Sequence, residues 1–410
     1  MKKISIYPSK IKGVVKVSGS KNASLPIIAA SLVSGHEVIL KNIPKITDVL
    51  DLFSILRKIG CFCDLKKKKI IIKPCCNDEF LLYEEIKKFR ASYYLMSVYL
   101  ALFNKVRIYS PGGCSIGARP INFHLEGFSK AGCEIVRDDE IIEIKAEKLQ
   151  PFTYEIPKKS LGATVNLTIL ASKIEGKTIL KNVSMEPEID DLISFINKGS
   201  AKVYRQGDCL VIFGSKTFVK KIKHKVIPDR IESFTFMCIG LCSKKLKVKN
   251  INLSHLKEPL KSLLISGANI KKKKSSVVVR KSKLQPFDVV SGDYPMISTD
   301  QMPLLYPLAC WINGVSIFKE GIFENRFQVC HELKKVNKEI EIYEDIVKIR
   351  GGNNINGAVF NATDLRCAAS LLIEGIFNQS STIINLHYLE RGYENIYYKL
   401  SKIGLRYDVF

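Results

Sequence analysis

The sequence is short of acid: 40 Asp and Glu stand against 64 Lys and Arg, a formal charge of +24. Arginine is scarce too. Only 13 of the 64 cations are Arg, so the excess is lysine. The densest lysine runs, Lys66 to Lys69 and Lys271 to Lys274, sit between short apolar segments, where hairpin tips belong. No basic helix face and no basic stripe interleaved with aromatics appears, which favours a solvated lysine-rich exterior over a polynucleotide-binding surface. No apolar run reaches the ~18 residues that span a bilayer. The opening Met1–Pro8 is basic but has no long apolar stretch behind it, so a secretory leader is not expected. A reduced, cytoplasmic chain follows, in which the 12 cysteines are not read as a disulfide framework. Cys61-Phe62-Cys63 and Cys75-Cys76 lack the two-residue spacer of a metal knuckle and have no neighbouring histidine, which argues against zinc. The ordinary 46% hydrophobic share excludes wholesale disorder.

What is present is a repeat. An apolar helix, a short strand, a polar loop, a second helix ending in Gly or Asn, and a hairpin recur six times. The second helices stop at Gly60, Gly132, Gly199, Gly267, Asn337 and Gly404, separated by 72, 67, 68, 70 and 67 residues. Gly and Asn suit a left-handed helix stop. Hairpins are expected over 61–73, 133–145, 201–213, 268–280 and 339–350. The sixth copy ends after one strand, so an N-terminal strand, Ile4-Ser5-Ile6 or Val14-Val15-Lys16-Val17, must complete it.

The first helices (24–32, 92–102, 165–171, 233–241, 302–311 and 368–377) are nearly continuous apolar runs. A helix apolar all round must be surrounded by other elements. The expected fold class is therefore α/β: a two-domain inside-out α/β barrel of six repeated units, three per domain, with helices packed inside. The expected boundaries are 21–227 for the first lobe, and 1–20 with 228–410 for the second. The active site is expected in the cleft between them.

Several loops carry unusual residues. Ser18-Gly19-Ser20-Lys21-Asn22-Ala23 permits an anion to approach backbone N–H groups beside a lysine, although an ordinary helix cap reads equally well. Ser110–Pro120 packs three glycines and two prolines around Cys114, five residues from Arg119, a poor setting for a core thiol and a good one for a reactive one. Arg90, Arg119, Arg326, Arg366 and Arg391 fall at loop or helix-entry points of the repeat, where a planar fork can grip phosphate or carboxylate. Each also fits a structural ion pair with a neighbouring acid. Asp300 occupies the position in the fifth copy that Lys21-Asn22 holds in the first, and a carboxylate there suits a base.

Taken together, Ser18–Ala23, Pro111–Cys114 with Gly117–Pro120, Phe323–Phe327, Ala362–Arg366 and Glu390–Tyr393 resemble the UDP-N-acetylglucosamine 1-carboxyvinyltransferase family of enolpyruvyl transferases, across essentially the whole chain. The resemblance implies transfer of the enolpyruvyl group of phosphoenolpyruvate to the sugar 3-hydroxyl with loss of phosphate, the first committed step of peptidoglycan synthesis. It implies Cys114 as proton donor and Asp300 as base, and Lys21, Arg119 and Arg391 on the phosphoenolpyruvate anions. Asn22 and Arg90 would orient the reactants. Pro120, Ile121, Asn122, His124 and Leu125, with Lys158, Ser160, Leu161 and Gly162, would hold the uridine diphosphate. Ile322, Arg326, Asp364 and Arg366 complete the implied substrate contacts.

No metal or organic cofactor is implied, nor a nucleic-acid or membrane partner, and the chain is expected as a monomer or weak homo-oligomer. Asn122 stands where the family usually has Asp, Thr47 where it commonly has Lys, and the Phe-Pro usual before Thr299-Asp300 is missing. The alternatives are a 5-enolpyruvylshikimate-3-phosphate synthase-like transferase, or a basic nucleic-acid-binding protein related to RNA-end-processing enzymes. Cys114 is expected to be the thiol that reacts with fosfomycin, a phosphoenolpyruvate-mimicking epoxide. Intact mass spectrometry with peptide mapping checks this, and adduct on another cysteine refutes it.

Overall fold

The computed structural model describes residues 2–66, 69–76, 86, 89–109, 120–138, 140–216, 221–323, 326–337, 339–378 and 380–410, with Arg90 through its backbone alone. These divide into two compact units. One runs from Gly19 to Ile227; the other takes the chain up to Ser18 together with Pro228–Phe410. Each has its own hydrophobic core.

One sheet plan recurs. An edge strand lies parallel to the first strand of a copy, and that strand pairs antiparallel with the second arm of the following hairpin. In the Gly19–Ile227 unit, Ile222–Lys225 flanks Val38–Lys41, then Lys69–Lys73 and Phe62–Leu65. Thr153–Glu155 likewise flanks Gly176–Lys181, Cys209–Gly214 and Lys202–Gln206. The intervening sheet has three described strands, Lys105–Tyr109, Ile141–Lys145 and Glu134–Arg137.

In the other unit the orders are Lys12–Lys16, Lys245–Lys249, Ser276–Arg280, Asn269–Lys273 and Val289–Val290, Gly314–Lys319, Ile346–Gly351, Ile340–Tyr343. Its third sheet runs Ala358–Asn361, Ser381–Ile384, Lys3–Tyr7, Arg406–Val409. Among the described residues the five four-stranded sheets are mixed, the three-stranded one is antiparallel, and none closes on itself.

All five expected hairpins form in register. Of the two N-terminal candidates, Lys3–Tyr7 completes the sixth copy, antiparallel to both neighbours. Ile4 and Ile6 point inward and are buried, which suits a central strand. Lys12–Lys16, with only Val15 buried, serves as a parallel edge beside Lys245–Lys249.

The apolar helices are buried as their composition demands. Every residue of Lys21–Leu32 from Ala23 onward is buried, as is every residue of Arg230–Gly240. The same holds for Leu161–Ala171 from Ala163 onward. Four of these helices start at a side-chain cap in the same repeat position. Ser20 accepts from the Ala23 amide, Ser160 from Ala163, Asp229 from Ile231 and Glu232, and Asp364 from Arg366 and Cys367. Each cap satisfies amides that the first turn leaves unpaired.

The expected fifth helix is broken. It is a 3-10 turn, Met302–Leu304, followed by a short helix, Tyr306–Trp311. Pro303 and Pro307 lack the N–H that a continuous ladder needs, a constraint that hydrophobicity alone does not reveal.

A second device fixes strand ends. Asn42, Asn182 and Asn250 each close the first strand of a copy with positive φ. Each side-chain amide donates to the carbonyl just beyond the parallel edge strand: Val226 (2.8 Å), Ile156 (2.7 Å) and Val17 (2.7 Å). Asn tolerates the left-handed region, so one residue both turns the chain and pins its neighbour.

Glu374 is a charge in an apolar core. It lies in Leu365–Asn378, and both carboxylate oxygens accept from Trp311 Nε1, at 3.1 and 3.0 Å. Burial pushes this carboxyl up to about 7, opposed by the bonds from Trp311 and Asn378. A raised carboxyl binds its proton better when folded, so its contribution to stability is full below the unfolded value of about 4.5 and is lost as pH rises toward about 7. Glu374→Gln is expected to remove that slope and to stabilise the protein at pH 8 by roughly 1–3 kcal/mol. Urea titrations across pH check this, and the single tryptophan provides the fluorescence signal.

Candidate active site

In the Gly19–Ile227 unit the chain reaches Lys21 through a tight approach. A Cβ on Gly19 would lie 1.6 Å from the Asn42 carbonyl oxygen, so only glycine fits. The cap at Ser20 then aims the first helical turn. Lys21 pairs with Asp48 at 2.5 Å, with both side chains largely buried. Asp48 escaped the sequence reading because it lies in another element, the Thr47–Lys58 helix. Asn22, next on the same turn, is half-buried.

The proposed uridine segments come together. Ile121 is buried, Leu125 is half-buried, and Pro120 and Asn122 are exposed at the start of the Asn122–Lys130 helix. His124 turns inward, its Nδ1 3.0 Å from Asn166 Nδ2, with the Tyr93 ring edge-on at 5.2 Å. An amide N–H facing Nδ1 makes that nitrogen the acceptor, which leaves the proton of the neutral ring on Nε2. Lys158 is exposed, Ser160 caps the next helix, and Leu161 and Gly162 are half-buried in its first turn.

A Cβ on Gly162 would sit 2.9 Å from the Tyr93 hydroxyl and 3.1 Å from the His124 ring, so glycine lets the two segments meet. Asn166 and Tyr93 were missing from the sequence reading. An asparagine inside an otherwise apolar helix was the available signal for the first.

In the other unit Asp300 is clamped from two sides. Arg326 Nη2 bonds to Oδ1, and Arg366 Nη2 to Oδ2 at 2.9 Å. Arg326 also donates through Nε to the Thr299 carbonyl at 2.8 Å. Its Nη1 is buried with no partner, as is Thr299 Oγ1. The Asp300 carboxylate raises the Arg366 guanidinium further above its ordinary value, and burial opposes this. One carboxylate is shared by two guanidiniums, and the Asp229 carboxylate also acts on Arg366. Both arginines were expected either to bind anions or to pair with adjacent acids; the acid they share is 26 and 66 residues away. Asp364 caps its helix through the Arg366 amide at 2.7 Å.

Ile322 is half-buried and donates its amide to Glu320 Oε1 at 2.9 Å. It lines a cleft of about 410 Å³ with Glu320, Gly321, Phe323, Glu344 and Asp345. Three carboxylates make this a poor seat for a diphosphate. Arg391 ends the 3-10 turn Leu386–Arg391 and is exposed. Nearby, the buried Glu232 accepts from the Ser18 amide at 2.9 Å and from Lys399, whose ammonium also bonds Ser18 Oγ at 2.7 Å. Cys114, Arg119 and the Arg90 side chain lie outside the described residues, in which no group of side chains suited to a metal occurs.

Residues 6–400 match the family model described as EPSP synthase (3-phosphoshikimate 1-carboxyvinyltransferase). The chain belongs to this family. Among curated members it is 36% identical over 400 residues to UDP-N-acetylglucosamine 1-carboxyvinyltransferase 1 of Caldanaerobacter subterraneus, covering 97% of this chain and 96% of that one. It is 37% identical over 398 residues to the Halothermothrix orenii protein named UDP-N-acetylglucosamine 1-carboxyvinyltransferase, covering 96% of each. Among solved structures of this fold, the enolpyruvyl transferase NikO from Streptomyces tendae superposes with a TM-score of 0.91 at 20% identity, covering 100% of this chain and 99% of that one. EPSP synthase from Acinetobacter baumannii gives 0.77 at 16%, covering 100% of each.

For this family member, Arg326→Lys keeps the charge at the Asp300 clamp but cannot reproduce bonds from both Nε and Nη2. A destabilisation of roughly 1–3 kcal/mol is expected, measurable by urea denaturation. An unchanged midpoint would show that the clamp contributes nothing to the fold.

Proposed function

We propose that the chain transfers the enolpyruvyl group of phosphoenolpyruvate to the 3-hydroxyl of UDP-N-acetylglucosamine, releasing phosphate, as the first committed step of peptidoglycan synthesis. The observation that carries this reading is near full-length similarity, at 36–37% identity, to relatives bearing that name. In the reaction, the sugar oxygen adds to C2 of the enol while C3 gains a proton, giving a tetrahedral ketal. The ketal then loses phosphate from C2 and a proton from C3, which restores the double bond. No redox partner or metal is needed for the balance.

The roles follow the chemistry of each group. Cys114 donates the proton to C3. Asp300, held between Arg326 and Arg366, takes the proton of the sugar hydroxyl. Lys21, Arg119 and Arg391 hold the phosphate and carboxylate of phosphoenolpyruvate, and Asn22 and Arg90 orient the reactants. The segments meeting at His124 and Gly162, with Lys158 and Ser160, hold the uridine diphosphate. Asp364 supports the site by capping the helix that carries Arg366, and Ile322 borders it. The reading places 21–227 in one lobe and 1–20 with 228–410 in the other, as an inside-out α/β architecture with helices within. It takes the chain as a cytoplasmic monomer or weak homo-oligomer.

The test is phosphate release with each acceptor. Release is expected with phosphoenolpyruvate and UDP-N-acetylglucosamine, and loss of at least about a hundredfold in Cys114→Ser, in line with removal of a general acid. Release with shikimate 3-phosphate in place of the sugar nucleotide would transfer the assignment to the other branch of the family.

A further inference from the structure

The four-stranded sheet of Lys12–Lys16, Lys245–Lys249, Ser276–Arg280 and Asn269–Lys273 has one face on the core and one outward, on which Ser276 and Val278 are buried and the other ten positions are half-buried or exposed. The register aligns its outward residues in three rows. The first holds Lys12, Lys245, Arg280 and Asn269; the second Val14, Lys247, Val278 and Lys271; the third Lys16, Lys249, Ser276 and Lys273. Eight of the twelve positions are cationic and none is acidic. Strands ~4.8 Å apart and same-face residues ~6.7 Å apart make this a two-dimensional, twisted array about 14 Å on a side. None of the eight cations forms an ion pair with a described acid.

A lysine-rich composition does not account for it. Every other sheet carries an acid on its outward face: Asp64, Glu143, Glu155, Glu341 or Asp408. Several of these acids are paired across strands, as in Arg107–Glu143 and Lys348–Glu341. Here Lys12 lies directly beside Lys245, and Lys16 beside Lys249. Like charges in register are destabilising. The face keeps that cost and excludes the acids that would relieve it.

We propose that this face docks the protein electrostatically on an anionic phospholipid bilayer, without insertion. A two-dimensional lysine grid can meet a layer of headgroup phosphates at many points, its long flexible stems taking up the twist of the sheet, whereas a nucleic-acid backbone presents a line of phosphates to it. The twelve positions hold no aromatic for base stacking and a single Arg for fork-like recognition. Lysine near an anionic leaflet gains affinity residue by residue and loses it with salt. No helix among the described residues is long and apolar enough to cross a membrane, so contact is confined to the surface.

The experiment is co-sedimentation of the full chain with vesicles of phosphatidylcholine alone or with one third phosphatidylglycerol. Binding is expected only to the anionic vesicles, with release at about 0.5 M salt. Lys247→Glu with Lys249→Glu and Lys271→Glu should weaken it by roughly a hundredfold or more. Lys177→Glu with Lys181→Glu and Lys202→Glu, an equal charge change on another sheet, should bind like the parent. In the parent protein, anionic vesicles should also protect Lys249 and Lys271, but not Lys177, from reductive methylation, a readout independent of how the variants fold. No partition to anionic vesicles, equal loss in both triple variants, or tighter binding of the same face to an RNA oligonucleotide would each overturn the proposal.

Discussion

Burial of helices that are apolar on every side is the constraint on which the rest of the structure depends. Such a helix has no solvent face, so other elements must enclose it, and its first amides must be satisfied locally because water is excluded. The side-chain caps at Ser20, Ser160, Asp229 and Asp364 answer that need at one repeat position. They also dictate where chemistry can reside. Lys21 and Arg366 fall within the first two residues of a capped helix, and Gly162 keeps the same turn of a third open to His124.

The polar residues drawn into these regions act on one another more than the composition suggests. Asp300 joins Arg326 and Arg366 from separate copies, and His124 joins Asn166 and Tyr93. A shared carboxylate orients both forks through fixed bonds, so rigidity comes from pairing and not from packing alone. The unpaired Nη1 of Arg326 shows that this pairing leaves donor capacity over.

Lysine plays two parts. On every sheet but one at least one acid shares the outward face, and the exposed pairs that form there are individually worth little. On the sheet containing Lys245–Lys249 the acids are gone and the charges face outward together. Net charge describes both situations with one number, and only strand register distinguishes them.

Much of the fold was legible in the sequence. Helix stops at Gly or Asn, apolar runs and Asn-ended strands are local features, and local backbone preferences enforce them. The sixfold period therefore exposed the hairpins and the need for an N-terminal strand to close the last copy. Tertiary structure decided what depends on partners distant in the chain. It selected Lys3–Tyr7 over the later candidate, because a central strand must bury two inward residues. Pro303 and Pro307 broke the fifth helix in spite of its hydrophobicity. The acids for Lys21, Arg326 and Arg366 were also settled there, since an ion pair is set by distance in space, which spacing along the chain does not encode.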